Sequence, residues 1–267
     1  MRKALLIVSV AAAVVIVIAS VVVVLTGFGG KDAEDKPAAE EVAPDTVAAV
    51  SNTAAVAPDT AMTFTDSRDG QVYRIIKVGG QVWMAENLNY AVEGSRCYGE
   101  GGVLIDELDE EDNAPVKTTK LSNAKVQANC AKYGRLYNWE AALKACPAGF
   151  NLPSDDEWTT LTDYIGGEEK AGTKLKSLTG WESYRGVPAG TDNYGFSAMS
   201  GGYGDDYARF IYAGYFGFYW SATGYDTTYA WGRFMYYHFE KVFRDHYGIK
   251  RYLYSVRCVQ DSKEGEQ

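Results

Sequence analysis

The chain has 267 residues, 46% of them hydrophobic, which is enough for one large domain or two small ones. Its net charge of -9 argues against nucleic acid and anionic membrane surfaces as partners, because both would repel it. The N-terminal quarter differs in composition from the rest and is not typical of a globular fold.

The first 30 residues predict one membrane-spanning helix. Residues 4–25 contain no charge and no proline, and at about 1.5 Å per residue they reach roughly 33 Å, enough for a hydrocarbon core of about 30 Å. Arg2 and Lys3 precede this run, which predicts a cytoplasmic N-terminus and an exported remainder. A cleaved secretory signal peptide is the alternative, and the length of the apolar run favours the uncleaved signal anchor.

Residues 31–62 predict a disordered linker. They are rich in Ala, Asp, Glu, Pro and Thr and contain no aromatic residue, so they cannot bury enough apolar surface to offset the entropy of ordering. We expect a single folded domain over residues 63–261, followed by a short tail, 262–267.

Four cysteines lie within the predicted domain, at positions 97, 130, 146 and 258. An even number of cysteines in an exported chain favours two disulfides. Zinc is the competing use of four cysteines, but their spacings contain no C-x2-C pair.

The first folded element is predicted to be a β-hairpin. The segment VYRIIKV-GG-QVWMAENL has two β-rich runs around Gly79 and Gly80, which supply the chemistry of a two-residue turn. We expect strands over about 72–78 and 81–85.

Residues 99–119 are glycine-rich and then strongly acidic, which predicts a surface loop. A calcium-binding loop is the alternative. The acidic residues do not follow the EF-hand spacing, so the solvated loop is favoured.

Apolar residues recur at helical spacing from Ser122 to Ala145, which predicts one helix, or two short ones if Gly134 interrupts. In the next segment, CPAGFNLPSDDEW, Ser154 and Glu157 have the spacing of a capping box, and Asp155 and Asp156 fall in a first turn that favours negative charge. We therefore interpret the acidic cluster as a helix start, with Gly166-Gly167 as its end.

Beyond Trp181 the chain becomes rich in tyrosine and glycine. The segments YARFIYAGYFGFYWSAT, TYAWGRFMYYH and KRYLYSVRCVQ predict strands, with His238 as a strand residue. We expect Trp220 and Trp231 to belong to the core or framework. The candidate ligand-binding residues are polar and aromatic side chains beside predicted turns: Asp192, Asn193, Tyr203, Asp205, Asp206, Tyr207, Tyr225, Asp226 and Tyr229.

Several motifs together resemble the Fibrobacter succinogenes major paralogous domain family, in order over about residues 66–261. They are GQVWMAENLNY, CAKYGRLYNWEAA, CPAGFNLPSDDEW, GTDNYGFSAMSGGY, YWSAT and YSVRCVQD. The family is grouped with C-type-lectin-like folds, which also include relatives of the formylglycine-generating enzyme. The resemblance implies an α+β domain with two helices, short antiparallel sheets, a long loop region and neighbouring termini.

The resemblance also implies the pairing of the cysteines. In lectin-like domains a cysteine before the second helix bonds one on the last strand, which corresponds here to Cys146 with Cys258 and leaves Cys97 with Cys130. The sugar-binding motifs of calcium-dependent lectins, Glu-Pro-Asn or Gln-Pro-Asp with Trp-Asn-Asp, do not occur in this chain. Calcium-dependent sugar binding of that kind is therefore not expected.

These observations favour a membrane-anchored, exported binding module of the cell envelope, periplasmic or at the cell surface, which recognises carbohydrate or another envelope component through Tyr/Trp-rich loops. A structural or protein-interacting envelope protein is the alternative. An enzyme is disfavoured, because the chain has only two histidines and lacks the second C-terminal cysteine of formylglycine-generating relatives. We expect no metal and no cofactor, and no motif supports calcium.

Overall fold

The computed structural model describes residues 62–108, 115–186 and 189–261. The predicted membrane helix, the linker up to residue 61 and the tail lie outside the described residues. None of the helices in the described part of the chain is long and apolar enough to cross a membrane.

The described residues form a mixed α+β structure. Its strands in chain order are β1 (Met62–Thr65), β2 (Val72–Val78), β3 (Gln81–Met84), β4 (Ser95–Arg96), β5 (Val103–Leu108), β6 (Pro115–Thr119), β7 (Leu136–Tyr137), β8 (Phe150–Asn151), β9 (Gly201–Gly204), β10 (Arg209–Ala213), β11 (Phe216–Gly224), β12 (Tyr229–Tyr236), β13 (Val242–Ile249), β14 (Tyr254–Ser255) and β15 (Val259–Gln260). The helices are α1 (Asn123–Tyr133), α2 (Trp139–Ala145), α3 (Asp155–Ile165) and α4 (Glu168–Leu175).

A small sheet of five strands joins the two ends of the domain. Its order is β1-β2-β3-β15-β8, and every neighbouring pair is antiparallel. Strands β2 and β3 confirm the predicted hairpin. The last strand pairs with this hairpin through Val259 and Trp83, so the first and last strands share one sheet.

A larger sheet of ten strands carries the long meander β11-β12-β13, whose neighbours are antiparallel. Parallel pairs also occur, between β5 and β10, β9 and β11, and β11 and β14. The prediction of short antiparallel sheets is therefore right for the small sheet and wrong for the large one. Parallel pairing needs connections from distant segments, which local patterns do not reveal.

The predicted helix starts and ends are confirmed at α1 and α3. Gly134 ends α1, so the segment from Ser122 to Ala145 forms two helices. In the capping box of α3, the Ser154 hydroxyl accepts from Glu157 N at 3.1 Å, and the Glu157 carboxylate accepts from Ser154 N at 2.8 Å. Gly166 ends α3 in the left-handed conformation.

The expectation of two helices is wrong, because the described residues contain four. Helix α4 begins directly after Gly167, and it contains Gly172. A Cβ at Gly172 would lie 2.6 Å from the carbonyl oxygen of Lys241 and 2.7 Å from that of Glu240. The glycine that weakens the helical pattern is thus what allows α4 to pack on the backbone that leads into β13.

Two further predictions are wrong. Residues 99–119 are not only a loop, because they contain β5 and β6, and the pairing of β5 with β10 outweighs the loop-like composition. His238 is not a strand residue, because β12 ends at Tyr236 and His238 lies in the turn after it.

The main core lies between α3 and the two sheets. Trp158, Leu161 and Ile165 face it, as their helical spacing predicts, and all three are at most 2% exposed. They pack with side chains from both sheets, including Trp83 and Tyr219. Trp220, expected to be core, is fully buried.

Both predicted disulfides are confirmed. Cys97 bonds Cys130, and Cys146 bonds Cys258. The second bond ties the end of α2 to the chain just before β15. In the chain-entropy picture each such loop closure stabilises a domain by roughly 3–5 kcal/mol.

Candidate functional site

A group of solvent-accessible side chains, five aromatic rings and one arginine, lies at the turn between β11 and β12 and at the neighbouring end of β13. We call this group the hairpin platform, and it consists of Tyr225, Tyr229, Trp231, Arg244, His246 and Tyr247. The ring centroid of His246 lies 4.5 Å from that of Tyr225 and 5.0 Å from that of Trp231. Tyr225 is 53% exposed and Tyr247 is 50% exposed. Two exposed and three partly buried rings therefore lie together at the surface, tilted or edge-on to one another.

Asp226 closes the turn that carries Tyr225 and Tyr229. Its Oδ1 accepts hydrogen bonds from the backbone N–H groups of Thr228 and Tyr229, both at 2.7 Å. Lys250 donates to the Asp226 carbonyl at 2.7 Å. An aspartate that accepts from the backbone two residues on is a common way of fixing a turn. Asp226 thus holds the two tyrosines in place.

An ionic network beneath the platform fixes Arg244 against Trp231. The Arg244 guanidinium lies 3.9 Å from the centre of the Trp231 ring, where the ring quadrupole attracts a cation. Its Nε and Nη2 donate to the Asp155 carboxylate at 3.0 and 2.7 Å. Arg233, which is 1% exposed, donates to the same carboxylate at 2.5 Å. The start of α3 therefore anchors the platform.

Asp155 stays ionised despite its burial. Burial alone would raise the pKa of Asp155, but the hydrogen bonds from Arg244 and Arg233 outweigh it and lower this pKa below its ordinary value. Asp155 is 5% exposed, whereas Asp156 in the same turn is exposed. Interpreting the acidic cluster as a helix start is right for the capping box, but it misses the role of Asp155.

A second aromatic group surrounds the other end of β12 and the turn after it, and Tyr184 and Tyr215 join it from the segments before β9 and β11. We call it the turn cluster, and it consists of Tyr184, Tyr215, Tyr236, Tyr237, His238 and Phe239. The rings of Tyr184 and His238 stack with centroids 4.8 Å apart. Tyr184 is 41% exposed and Tyr215 is 44% exposed. The chain therefore places each of its two histidines in an aromatic group.

A buried lysine supports the turn cluster from beneath. The Lys176 ammonium donates to the carbonyls of Tyr236, Tyr237 and Phe239 at 2.8, 3.3 and 2.7 Å, which uses all three of its protons. Burial lowers the pKa of Lys176 to about 8. Burial and the nearby Lys176 charge also lower the pKa of His238, which favours the neutral form of its imidazole.

Four candidate residues lie together around the turn between β9 and β10. Asp205 accepts from the backbone N–H groups of Tyr207 and Arg209 and pairs with the Arg209 guanidinium at 2.6 Å, so its carboxylate is used within the turn. Asp206 pairs with Arg251 at 3.0 Å. Tyr207 is 67% exposed.

Tyr203, the remaining member of this group, faces inward rather than solvent. Its ring stacks on Tyr252 with centroids 5.7 Å apart and meets Phe218 edge-on at 5.3 Å. It is only partly exposed, so it belongs to the aromatic packing of the large sheet.

Asp192 and Asn193 lie elsewhere, in the loop before β9. The Asp192 carboxylate accepts from the backbone N–H of Ser197 at 2.7 Å and from its hydroxyl at 2.6 Å. The backbone N–H of Asn193 donates to the carbonyl of Lys174. The structure thus divides the nine predicted residues into three groups, and only Tyr225 and Tyr229 belong to the hairpin platform, with Asp226 closing the turn that carries them.

Four of the six platform residues are not among the ligand-binding residues predicted from the sequence. Arg244, His246 and Tyr247 lie in VFRDHYGI, whose alternation suggests that consecutive side chains point to opposite faces. Trp231, expected to be framework, is half-buried within the platform. The one signal present is the cluster of aromatic residues on both sides of the turn at Asp226.

No metal site is found in the described ranges, where no group of three or more His, Cys, Asp or Glu side chains is placed to hold an ion. The expectation of no bound calcium stays a prediction.

Comparison with known protein families gives a match. The model of the Fibrobacter succinogenes major domain matches residues 76–260, which is more than half of the chain. The chain belongs to this family. The Fibrobacter succinogenes major domain thus contains both disulfides, the hairpin platform and the turn cluster, while β1 precedes the matched region. No curated protein and no solved structure matches the chain.

Proposed function

We propose that this domain is a carbohydrate-binding module of the cell envelope and that the hairpin platform binds the sugar. The observation that carries the proposal is the group of aromatic rings at the surface, supported by the ion pairs of Asp155 with Arg233 and Arg244. Tyrosine and tryptophan offer flat apolar faces to the C–H faces of sugar rings, and their polar tips accept or donate hydrogen bonds. His246 and Arg244 add further polar groups beside Trp231.

The proposal includes a C-type-lectin-like fold and no catalysis. The α+β architecture and the sheet shared by the first and last strands support the fold. All four cysteines are in disulfides, so none is free to act as the nucleophile that formylglycine-generating relatives require. Sugar recognition here would use aromatic stacking in place of a calcium ion.

We also propose that the domain is exported and anchored by residues 4–25. Two disulfides are typical of an oxidising compartment, and the basic pair before the apolar run favours export of the residues beyond that run. An impermeant thiol reagent applied to intact cells should label the protein only after reduction. Labelling without reduction would contradict the proposal.

Binding is tested by pull-down of the full-length chain, solubilised in mild detergent, on insoluble cellulose, xylan, mannan and chitin. We expect retention on at least one glycan and loss of retention when Tyr225 and Tyr247 are both changed to Ala. The control is the double change of Tyr207 and Tyr164 to Ala, two exposed tyrosines outside the platform, at 67% and 61% exposure. No retention on any glycan would favour a protein partner instead.

A further inference from the structure

The platform depends on an irregularity in β13. Ala230 pairs with Gly248 and Gly232 pairs with Asp245, so the single residue Trp231 faces two residues of β13, His246 and Tyr247. This two-against-one count defines a β-bulge, a feature that re-aims side chains and is common beside functional sites.

The bulge changes where the side chains of β13 point. In a regular strand His246 and Tyr247 would lie on opposite faces. Here the His246 ring lies 5.0 Å from Trp231, and the Tyr247 ring lies 6.1 Å from Tyr229, which is on the same face of β12 as Trp231. Both rings therefore join the platform.

Asp245 lies directly before the bulge and bonds to it. Its Oδ1 accepts a hydrogen bond from the backbone N–H of Tyr247 at 3.1 Å. Asp245 is only partly exposed, and its burial raises the pKa of its carboxyl. Partly removing a carboxyl from water without an ion pair costs free energy, so we expect Asp245 to have a specific role.

We propose that Asp245 is a positioning residue, which holds the β-bulge and thereby places His246 and Tyr247 for sugar binding. The proposal rests on the proposed function, because Asp245 acts on the ligand only through the platform. The chain contains the same local bond elsewhere: Asp69 accepts from the backbone N–H of Gln71 at 2.9 Å in an exposed turn. Asp69 is the matched control.

The first test needs no ligand. The chain has two histidines, so full-length protein labelled with 13C at histidine Cε1 gives two NMR signals, and His246→Gln assigns them. The rings of Tyr225, Trp231 and Tyr247 surround His246 and shift its signal. In Asp245→Ala this signal should move towards its unfolded position while the His238 signal stays. Asp245→Asn, which keeps an acceptor oxygen, and Asp69→Ala should leave both signals in place.

The second test is affinity for the glycan that the wild-type chain retains, starting with insoluble cellulose. Loss of one ring contact corresponds to a weakening of about 2- to 10-fold, so Asp245→Ala should bind in that range and Asp245→Asn within about 2-fold of wild type. If Asp245→Ala does not fold, Asp245→Leu fills the same space without an acceptor and replaces it.

The outcomes separate the two proposals. An unmoved His246 signal in Asp245→Ala would overturn the positioning role. A moved signal with unchanged affinity would overturn its link to binding. If the wild-type chain retains no glycan, the proposed function fails and the link to sugar affinity fails with it, while the NMR result still decides whether Asp245 positions the platform.

Discussion

The hairpin platform and the turn cluster have similar composition but are built differently. Each lies at one end of β12, each contains a histidine among tyrosines, and each exposes two tyrosines to a similar extent. The platform is built on a strand bulge and the ion pairs of Asp155. The turn cluster is built around one buried ammonium that binds three backbone carbonyls. We infer that the first presents rings to a ligand and the second closes a turn.

The largest expected effect on the free energy of unfolding comes from removing Asp155, whose carboxylate pairs with Arg233 and Arg244 beneath the platform. Asp155→Ala leaves the fully buried Arg233 without its carboxylate, and breaking a buried pair in this way costs about 3–5 kcal/mol of unfolding free energy. Asp156→Ala, in the same helical turn but exposed, should cost less than about 1 kcal/mol. Urea unfolding at pH 7 measures both, and equal losses would contradict the distinction between the two residues.

Low pH should remove the stabilisation that the Asp155 carboxylate gives to the folded state. Because its pKa is lowered in the folded state, its stabilisation is complete above the unfolded value of about 3.9 and is lost as the pH falls through the folded value. The difference in unfolding free energy between wild type and Asp155→Ala should therefore narrow below about pH 4. A constant difference down to about pH 2 would show that the ion pairs are not its source.

A smaller effect on the free energy of unfolding is expected from removing Lys176, which lies beneath the turn cluster. Lys176→Met removes the donor to three buried carbonyls, and unsatisfied buried groups of this kind cost about 1–3 kcal/mol. Lys241→Met, whose ammonium pairs with Glu169 at the surface, should change stability by less than about 1 kcal/mol. Glycan binding should survive Lys176→Met, and loss of binding in a folded Lys176→Met protein would contradict the separation of the two clusters.

Alkaline pH provides a second test of the buried lysine. The pKa of Lys176 is about 8 in the folded protein and about 10.4 in an unfolded chain, so between these values the unfolded state binds more protons. The unfolding free energy of the wild type minus that of Lys176→Met should therefore rise between about pH 8 and about pH 10. Urea unfolding at about pH 7.5 and about pH 9.5 measures the difference, and a fall would contradict the buried position of this lysine.

Local chemistry explains what the sequence could predict. The capping box of Ser154 and Glu157 spans three residues, and Gly134 ends a helix by its own conformation, so both are readable from short patterns. The disulfide pairing came from the family resemblance. These features predict helix boundaries and the two disulfides, but not the other long-range contacts of the fold.

The contacts that support the hairpin platform and the turn cluster join residues that are far apart in the sequence. Asp155 meets Arg233 and Arg244 over separations of 78 and 89 residues, and Lys176 meets its carbonyl partners over 60 to 63 residues. The bulge in β13 exists only relative to β12, so the pattern RDHYG gives no sign of it. Strand register and tertiary pairing therefore decide which tyrosines lie together at the surface.

The most direct test compares one exposed tyrosine from each cluster, Tyr225→Ala and Tyr184→Ala, by affinity of the full-length chain for the glycan that wild type retains. An aromatic contact contributes about 0.5–1.5 kcal/mol, so Tyr225→Ala should weaken binding by roughly 2- to 10-fold and Tyr184→Ala should leave it unchanged. Equal weakening by both variants, or weakening by Tyr184→Ala alone, would contradict the assignment of the binding site to the hairpin platform.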